Sequence, residues 1–261
     1  MESRGNALSR RQFAGMMAAG ALAAMVGLPS CSPKDASEAK VEKTYDYDVV
    51  VLGGGGAGTS AAGKAAEAGA KTVLLEKMGW LAGSSSICLG GFYGAGNAVQ
   101  KRAGIEDDTP EALLEYFLAS NGDKLDYDVQ EFCAYHFGET IDWLSEELGV
   151  PFQDEVLLKG KDTVKRQSRC KNSGMDALSA VYQFAQDQGA EFMFNMAAEK
   201  LIVDDSGAVC GVLARESNGR LSQFNAKSVV VATGGFCRNA EMIAEYMPDF
   251  KQVPTEVGLG C

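Results

Sequence analysis

Tyr47-Asp48-Val49-Val50-Val51-Leu52 runs directly into Gly53-Gly54-Gly55-Gly56-Ala57-Gly58, and after an Ala-rich stretch comes Thr72-Val73-Leu74-Leu75-Glu76. The first run is short, apolar and β-branched, the pattern of a strand buried on both faces of a parallel sheet. Residues 59–69 are rich in alanine, carry Lys64 and Glu67, and stop at Gly69, so they read as a helix. With the second apolar run at 72–75, the segment predicts a strand, helix, strand unit and an α/β fold around a parallel sheet. Gly53, Gly55 and Gly58 fit the G-x-G-x-x-G spacing. The first glycine permits the tight turn, the second lets a pyrophosphate approach the backbone, and the third lets helix and strand pack closely. The helix N-terminus adds amide donors and partial positive charge. Glu76 lies 18 residues beyond the last of these glycines, at the end of the second strand, placed to accept hydrogen bonds from adenosine ribose hydroxyls. These features select a dinucleotide without choosing between FAD and NAD.

Outward from this unit, the Gly- and Ser-rich residues 78–104 read as a long irregular loop. Thr109-Pro110-Glu111 opens a helix to about Asn121, with Thr as cap and Pro in the first position. From Val129, the apolar residues Phe132, Cys133, Phe137, Ile141, Leu144 and Leu148 recur at helical spacing until Gly149-Val150-Pro151. Residues 152–173 read as a polar, basic loop, and 175–189 as another helix. Strands are expected at 191–195, 200–203, 208–215, 221–224 and 228–233, with Asp204-Asp205-Ser206-Gly207 and Asn218-Gly219 as turns.

The 261 residues, 46% of them hydrophobic, suffice for a sizeable core. Lys plus Arg number 24 against 35 Asp plus Glu, a formal charge of −11 that argues against capture of a nucleic-acid backbone. Cysteines at 31, 88, 133, 170, 210, 237 and 261 form no Cys-x-x-Cys pair, so no metal centre, disulfide scaffold or covalent haem is expected, and the internal thiols read as small core residues. His136, between Cys133 and Phe137, reads as a core-edge histidine rather than a general base. Arg166 and Arg169 suit either an anion grip or a solvated basic loop. Trp80 and Phe92 read as core packing in preference to a stack on a ring system.

Ser9-Arg10-Arg11-Gln12-Phe13 precedes an uncharged stretch ending at Leu28-Pro29-Ser30-Cys31 and resembles a twin-arginine export signal over residues 1–31. Phe13 to Leu28 is 16 residues and contains Gly15, Gly20 and Gly27. It is short for the roughly 20-residue span of a bilayer, which disfavours a permanent transmembrane helix. Leu28, Ser30 and Cys31 resemble a lipoprotein cleavage box that would make Cys31 the lipidated residue, with Pro29 a departure from it. The extracytoplasmic face of the cell membrane is the expected location. Residues 32–44 lack an apolar period and read as a tether.

Further runs narrow the choice of dinucleotide. Ala82-Gly83-Ser84-Ser85-Ser86, Gly90-Gly91 and Val231-Ala232-Thr233-Gly234-Gly235-Phe236 stand in order with the phosphate loop, Leu75-Glu76-Lys77 and Thr140-Ile141-Asp142-Trp143. Together they resemble the succinate dehydrogenase and fumarate reductase flavoprotein family, most of all its soluble branch of flavocytochrome c fumarate reductases, urocanate reductases and ketosteroid dehydrogenases. The resemblance runs from about Tyr47 to the end. It implies FAD and a Rossmann-like FAD-binding domain with a parallel sheet and an added β-meander. It also implies an FAD-dependent oxidoreductase acting on a carbon–carbon bond next to a carbonyl or carboxylate, such as an unsaturated carboxylate. Electrons would come from a separate electron-transfer protein or membrane donor.

By this resemblance Gly53, Gly55, Gly56, Ala57 and Gly58 hold the pyrophosphate, and Glu76 with Lys77 meets the adenosine. Gly83, Ser84, Ser85, Gly90 and Gly91 form the loop under the phosphates and flavin, although the family often has Asn where Ser84 stands. Ala198 matches the adenine contact, and Ala232, Thr233 and Gly234 the strand end beside the dinucleotide. The family's cap domain and substrate residues lie beyond a Thr-Gly-Asp-Gly signature. Cys261 falls where that signature would begin, so residues 45–261 are expected to be the N-terminal part of the FAD-binding domain, without the cap, and no catalytic residue is assigned. An FAD-binding remnant without turnover is the alternative. An NAD-binding dehydrogenase domain is a third reading, against which the Ala232-Thr233-Gly234-Gly235-Phe236 run argues.

Overall fold

A computed structural model describes residues 40–250 apart from residues 82 and 238. The export signal, the lipid anchor at Cys31, most of the tether and Ala82 lie outside the described residues. Among the described residues, no helix is long and apolar enough to cross a membrane.

Strand β1 (Val41–Leu52), helix α1 (Gly56–Glu67) and strand β2 (Thr72–Leu75) form the expected unit. After them come α2 (Ser84–Ile87), β3 (Gly91–Tyr93), α3 (Ala98–Arg102), α4 (Pro110–Asn121), α5 (Tyr127–Asp142), β4 (Gln167–Arg169) and α6 (Gly174–Asp187). Strands β5 (Glu191–Met193), β6 (Met196–Val203), β7 (Val209–Glu216) and β8 (Leu221–Val231) follow, then α7 (Ala240–Tyr246). The main sheet has the order β5-β2-β1-β8-β7-β6. Its first four strands are mutually parallel, and β6, β7 and β8 make an antiparallel meander.

The β-branched run is buried on both faces, as a parallel sheet requires. Val51 and Leu74 pack on Ala62 and Ala66 of α1 and Ala185 of α6. Val50, Leu52, Val73 and Leu75 pack on the opposite face with Met196, Val212 and Phe224. A Cβ at Gly63 would stand 2.7 Å from Phe184, so glycine lets α1 and α6 approach closely.

Several segments differ from the sequence reading. The strand begins at Val41 and not after the tether's expected end at 44, because Val41–Thr44 pair with β8 through main-chain bonds that need no apolar pattern. The runs at 221–224 and 228–233 are one strand, β8, whose early part pairs with β7 while its whole length pairs with β1. The expected loops 78–104 and 152–173 contain short elements, with β3 and β4 paired antiparallel to each other.

Helix α5 is turned from its expected face. It buries Gln130, Ala134, Gly138 and Ile141, while Val129, Phe132 and Phe137 are exposed. A Cβ at Gly138 would lie 2.2 Å from the Ala95 carbonyl oxygen, so close backbone approach decides the orientation. His136 is accordingly exposed and not at the core edge; its Nδ1 lies 2.7 Å from Glu139 Oε2 and its ring packs against Phe132. Trp80 is also exposed, whereas Phe92 packs against Phe152 in the core as expected. Asp142 of the Thr140–Trp143 run accepts from the Ala98 amide at 2.6 Å, and Trp143 meets Phe184 edge-on.

Arg166 neither grips a free anion nor lies in a solvated loop. Its side chain is 2% exposed and bonds both oxygens of Asp108 and both of Asp162, at 2.6–3.0 Å. Gln100 donates to Asp108 at 2.8 Å, and the Tyr93 phenol donates to Asp162. Burial opposes ionisation of Asp162, yet Tyr93, the Val164 amide and Arg166 together hold its carboxyl below the ordinary value. Burial, then the bond to Asp162, pushes the Tyr93 phenol upward.

Helix α3 depends on a capping box. Asn97 Oδ1 accepts from the Gln100 amide at 3.0 Å, Gln100 reaches back to the Asn97 amide, and Asn97 is fully buried. Asn97→Ala is expected to lower the unfolding free energy by about 1–2 kcal/mol. Urea unfolding of this variant beside Asn97→Ser checks it, the serine recovering part of the loss.

Candidate functional site

The carboxyl ends of β1, β2 and β8 converge where an open α/β sheet receives ligands. Gly53 takes φ +103°, and a Cβ there would lie 2.5 Å from the Ala232 carbonyl oxygen. Only glycine suits both conditions. A Cβ at Gly58 would lie 1.9 Å from the Gly53 carbonyl oxygen. The turn is therefore closed upon itself, with backbone where side chains would otherwise stand. The Ala232 amide donates to the Leu52 carbonyl at 2.9 Å, holding the end of β8 beside the turn. Helix α1 starts at Gly56 with Gly55 as its cap, no side-chain cap bond and no acidic residue in its first turn. Such an N-terminus favours an anion.

Glu76 is buried. Its Oε2 accepts from the Gly54 amide at 2.6 Å and its Oε1 from the Met78 amide at 2.8 Å. Ser85 Oγ accepts from the Gly56 amide at 3.1 Å, which brings α2 to the turn. Gly83, the cap of α2, lies across from Gly55, where a Cβ on it would stand 3.8 Å from the Gly55 Cα. Ser84 is exposed on the same short helix, and Gly90 and Gly91 lead from it into β3. The Met196 amide donates to the Glu76 carbonyl at 2.9 Å, so Ala198, exposed two residues along β6, belongs to the same end of the sheet. Thr233 backs the Gly53 turn, and Gly234 takes φ +77° in open space. Ala57 and Lys77 are exposed.

The structure thus brings the glycine turn, Glu76, Gly83, Ser85 and Ala232 together directly, and places Ala198, Gly90 and Gly91 on the elements that adjoin them. Gly54, which the glycine spacing passed over, supplies the amide that holds Glu76. The Gln167 side chain lies against Gly91, 2.6 Å from where a Cβ would stand.

A family profile described as "FAD binding domain" matches residues 48–258. The chain belongs to the FAD binding domain family. FAD is its cofactor. This FAD binding domain is 35% identical over 213 residues to urocanate reductase of Eggerthella lenta, covering 80% of this chain and 35% of that protein. It is 29% identical over 206 residues to a fumarate reductase (cytochrome) of Shewanella frigidimarina, covering 78% and 36%. The open conformation of a flavocytochrome c3 fumarate reductase superposes with TM-score 0.73 at 32% identity, covering 82% of this chain and 38% of that one. The 3-ketosteroid-Δ4-(5α)-dehydrogenase of Rhodococcus jostii RHA1 also gives 0.73, at 25% identity, covering 88% and 53%. The FAD binding domain spans little more than a third of the length of the two curated relatives. The mixed sheet with its meander is the fold of these flavoproteins.

The residues present fit FAD. Glycine at 53 and 58 lets the turn close against Ala232 and against its own backbone, the tight turn that a pyrophosphate can approach. Glu76 uses two of roughly four acceptor positions on the backbone and keeps others for a ribose diol.

Proposed function

We propose that Gly53, Gly55, Gly56, Ala57 and Gly58 receive the FAD pyrophosphate. In this reading Glu76 and Lys77 meet the adenosine, the Ala198 backbone meets the adenine, and Gly83, Ser84, Ser85, Gly90 and Gly91 run under the phosphates and flavin. Ala232, Thr233 and Gly234 close the strand end beside the dinucleotide. The observation that carries this reading is the self-closed glycine turn, with Glu76 fastened across it by the Gly54 amide. The chain's own part is binding and orientation: amides face the anion, Glu76 selects the diol, and the α2 loop shapes the flavin side. When bound, FAD supplies hydride transfer, which the protein directs by position and polarity.

The whole protein, in this reading, is an oxidoreductase that reduces or oxidises a carbon–carbon bond beside a carboxylate or carbonyl. Fumarate reductases and urocanate reductase among the relatives support an unsaturated carboxylate as substrate. Electrons come from a separate carrier protein or membrane donor. The Ser9-Arg10-Arg11-Gln12-Phe13 run supports export by the twin-arginine route, and Cys31 a lipid anchor at the outer face of the membrane.

The test is anaerobic. Purified chain is loaded with FAD, photoreduced, and mixed with fumarate or urocanate while flavin absorbance is followed. Rapid return of the oxidised spectrum with either acid supports a reductase. Tight flavin retention without reoxidation supports a binding domain that needs further chain for turnover, and failure to retain FAD overturns the binding assignment.

A further inference from the structure

We propose that Cys88 and Cys170 are a dithiol pair that a small disulfide closes into an intrachain bond across the α2–β3 loop. Cys88 ends α2 and is exposed, not a core residue as its type suggests; its Sγ donates only a weak bond to the Ser85 carbonyl, at 3.4 Å. Cys170 follows β4 and is 1% exposed, packed with Leu144, Val150, Ala177 and Val181.

The two cysteines sit on backbones already fastened side by side. The Cys170 amide donates to the Gly90 carbonyl at 2.8 Å, and the Gly174 amide donates to the Cys88 carbonyl at 2.9 Å. Opposite each cysteine stands a glycine. A Cβ at Gly90 would lie 2.8 Å from Cys170 Cβ, and a Cβ at Gly174 would lie 2.3 Å from Cys88 Sγ. Both positions where a side chain would crowd a thiol are therefore empty. The thiols also sense each other's charge: burial, then Asp176, and further Cys88 push the Cys170 thiol up to about 11. Closure needs Cys88 Sγ to leave the Ser85 carbonyl.

Exposure sets the order of events. The Cys88 thiolate attacks one sulfur of oxidised glutathione, forming a Cys88–glutathione disulfide and releasing the first glutathione, which takes up the thiol proton. Cys170 then loses its proton and attacks Cys88 Sγ; the sulfur–sulfur bond to glutathione breaks and the second glutathione leaves. Two protein thiols are oxidised by two electrons, and one glutathione disulfide is reduced to two thiols. Ser85, one turn from Cys88, accepts from the Gly56 amide of the glycine turn, so the bond would form beside the proposed path of FAD. This last point alone rests on the binding assignment proposed above.

The experiment incubates the purified full chain with oxidised glutathione, quenches with acid, alkylates after unfolding and maps peptides without reduction. The expected product joins the peptides of Cys88 and Cys170, with Cys133 and Cys210 alkylated. Cys170→Ala is expected to stop at the Cys88–glutathione adduct, and Cys88→Ser to leave Cys170 alkylated. A wild-type chain that accumulates the Cys88 adduct with Cys170 fully alkylated overturns the pair, as does pairing of either residue with another cysteine. Saturating FAD is expected to slow adduct formation at Cys88 at least about tenfold. Cross-linking at an unchanged rate in FAD-loaded protein upholds the pair and overturns the placement of FAD over this loop.

Discussion

Arg166→Met is expected to lower the unfolding free energy by about 3–5 kcal/mol, because it strands two carboxylates in the interior. Asp108 and Asp162 share the guanidinium through five bonds, and all three side chains are at most 2% exposed. Coulomb attraction within so dry a cluster offsets a large desolvation cost only while both signs are present. The sign of the pH response follows. In the wild type the lowered carboxyl of Asp162 contributes stability above the ordinary aspartate range, and that contribution is lost as pH falls through the folded value. Without Arg166 the Asp162 carboxyl loses two of the causes that lower it, while Tyr93 and the Val164 amide remain. The variant should then lose less stability than the wild type on acidification from about pH 7 to 3. Urea unfolding across this range, with Arg166→Met/Asp108→Asn recovering part of the loss, tests the account. A variant within about 1 kcal/mol of wild type, with the same pH slope, would falsify it.

Gly58→Ala is expected to weaken FAD binding at least about 100-fold, or about 2.8 kcal/mol. Alanine within a helix ordinarily adds about 1 kcal/mol of stability over glycine. Here the new Cβ would stand 1.9 Å from the Gly53 carbonyl oxygen and 3.3 Å from Ala232 Cβ. The first of these is backbone, so the turn itself must open. That displaces the Gly54 amide from Glu76 and the Gly56 amide from Ser85, the two bonds that shape the cradle. Titration of flavin fluorescence measures the affinity, and far-ultraviolet circular dichroism shows whether the fold survives. Affinity within threefold of wild type in a folded variant would sink the geometry argued for this turn.

The glycine turn and Glu76 were legible because their meaning is local: spacing, a preceding β-branched run and a following strand fix the conformation before any distant residue is known. What lay hidden depends on partners far along the chain. Asn225-Ala226-Lys227 interrupts the apolar pattern and suggested a break, yet Asn225 donates to Asp46 and Lys227 pairs with Asp48, so β1 supplies polar neighbours that let β8 continue. The burial of Arg166 was hidden because Asp162, four residues earlier, suits a solvated loop equally well, and Asp108, which completes the cluster, stands 58 residues earlier. Helix α5 misled for a different reason. Its large apolar residues mark a convincing face, but Ala134 and Gly138 permit backbone contact that outweighs burying them.

The pairing of Val41 with Leu221 and of Leu52 with Val231 sets the timetable on which this polypeptide can mature. On the ribosome β1 leaves the exit tunnel about 180 residues before its long parallel neighbour does. At 5–20 residues per second, roughly ten to thirty-five seconds pass with one edge of the nascent sheet bare. A chain of such high contact order nucleates slowly, and slower translation or a holding chaperone should raise its soluble yield.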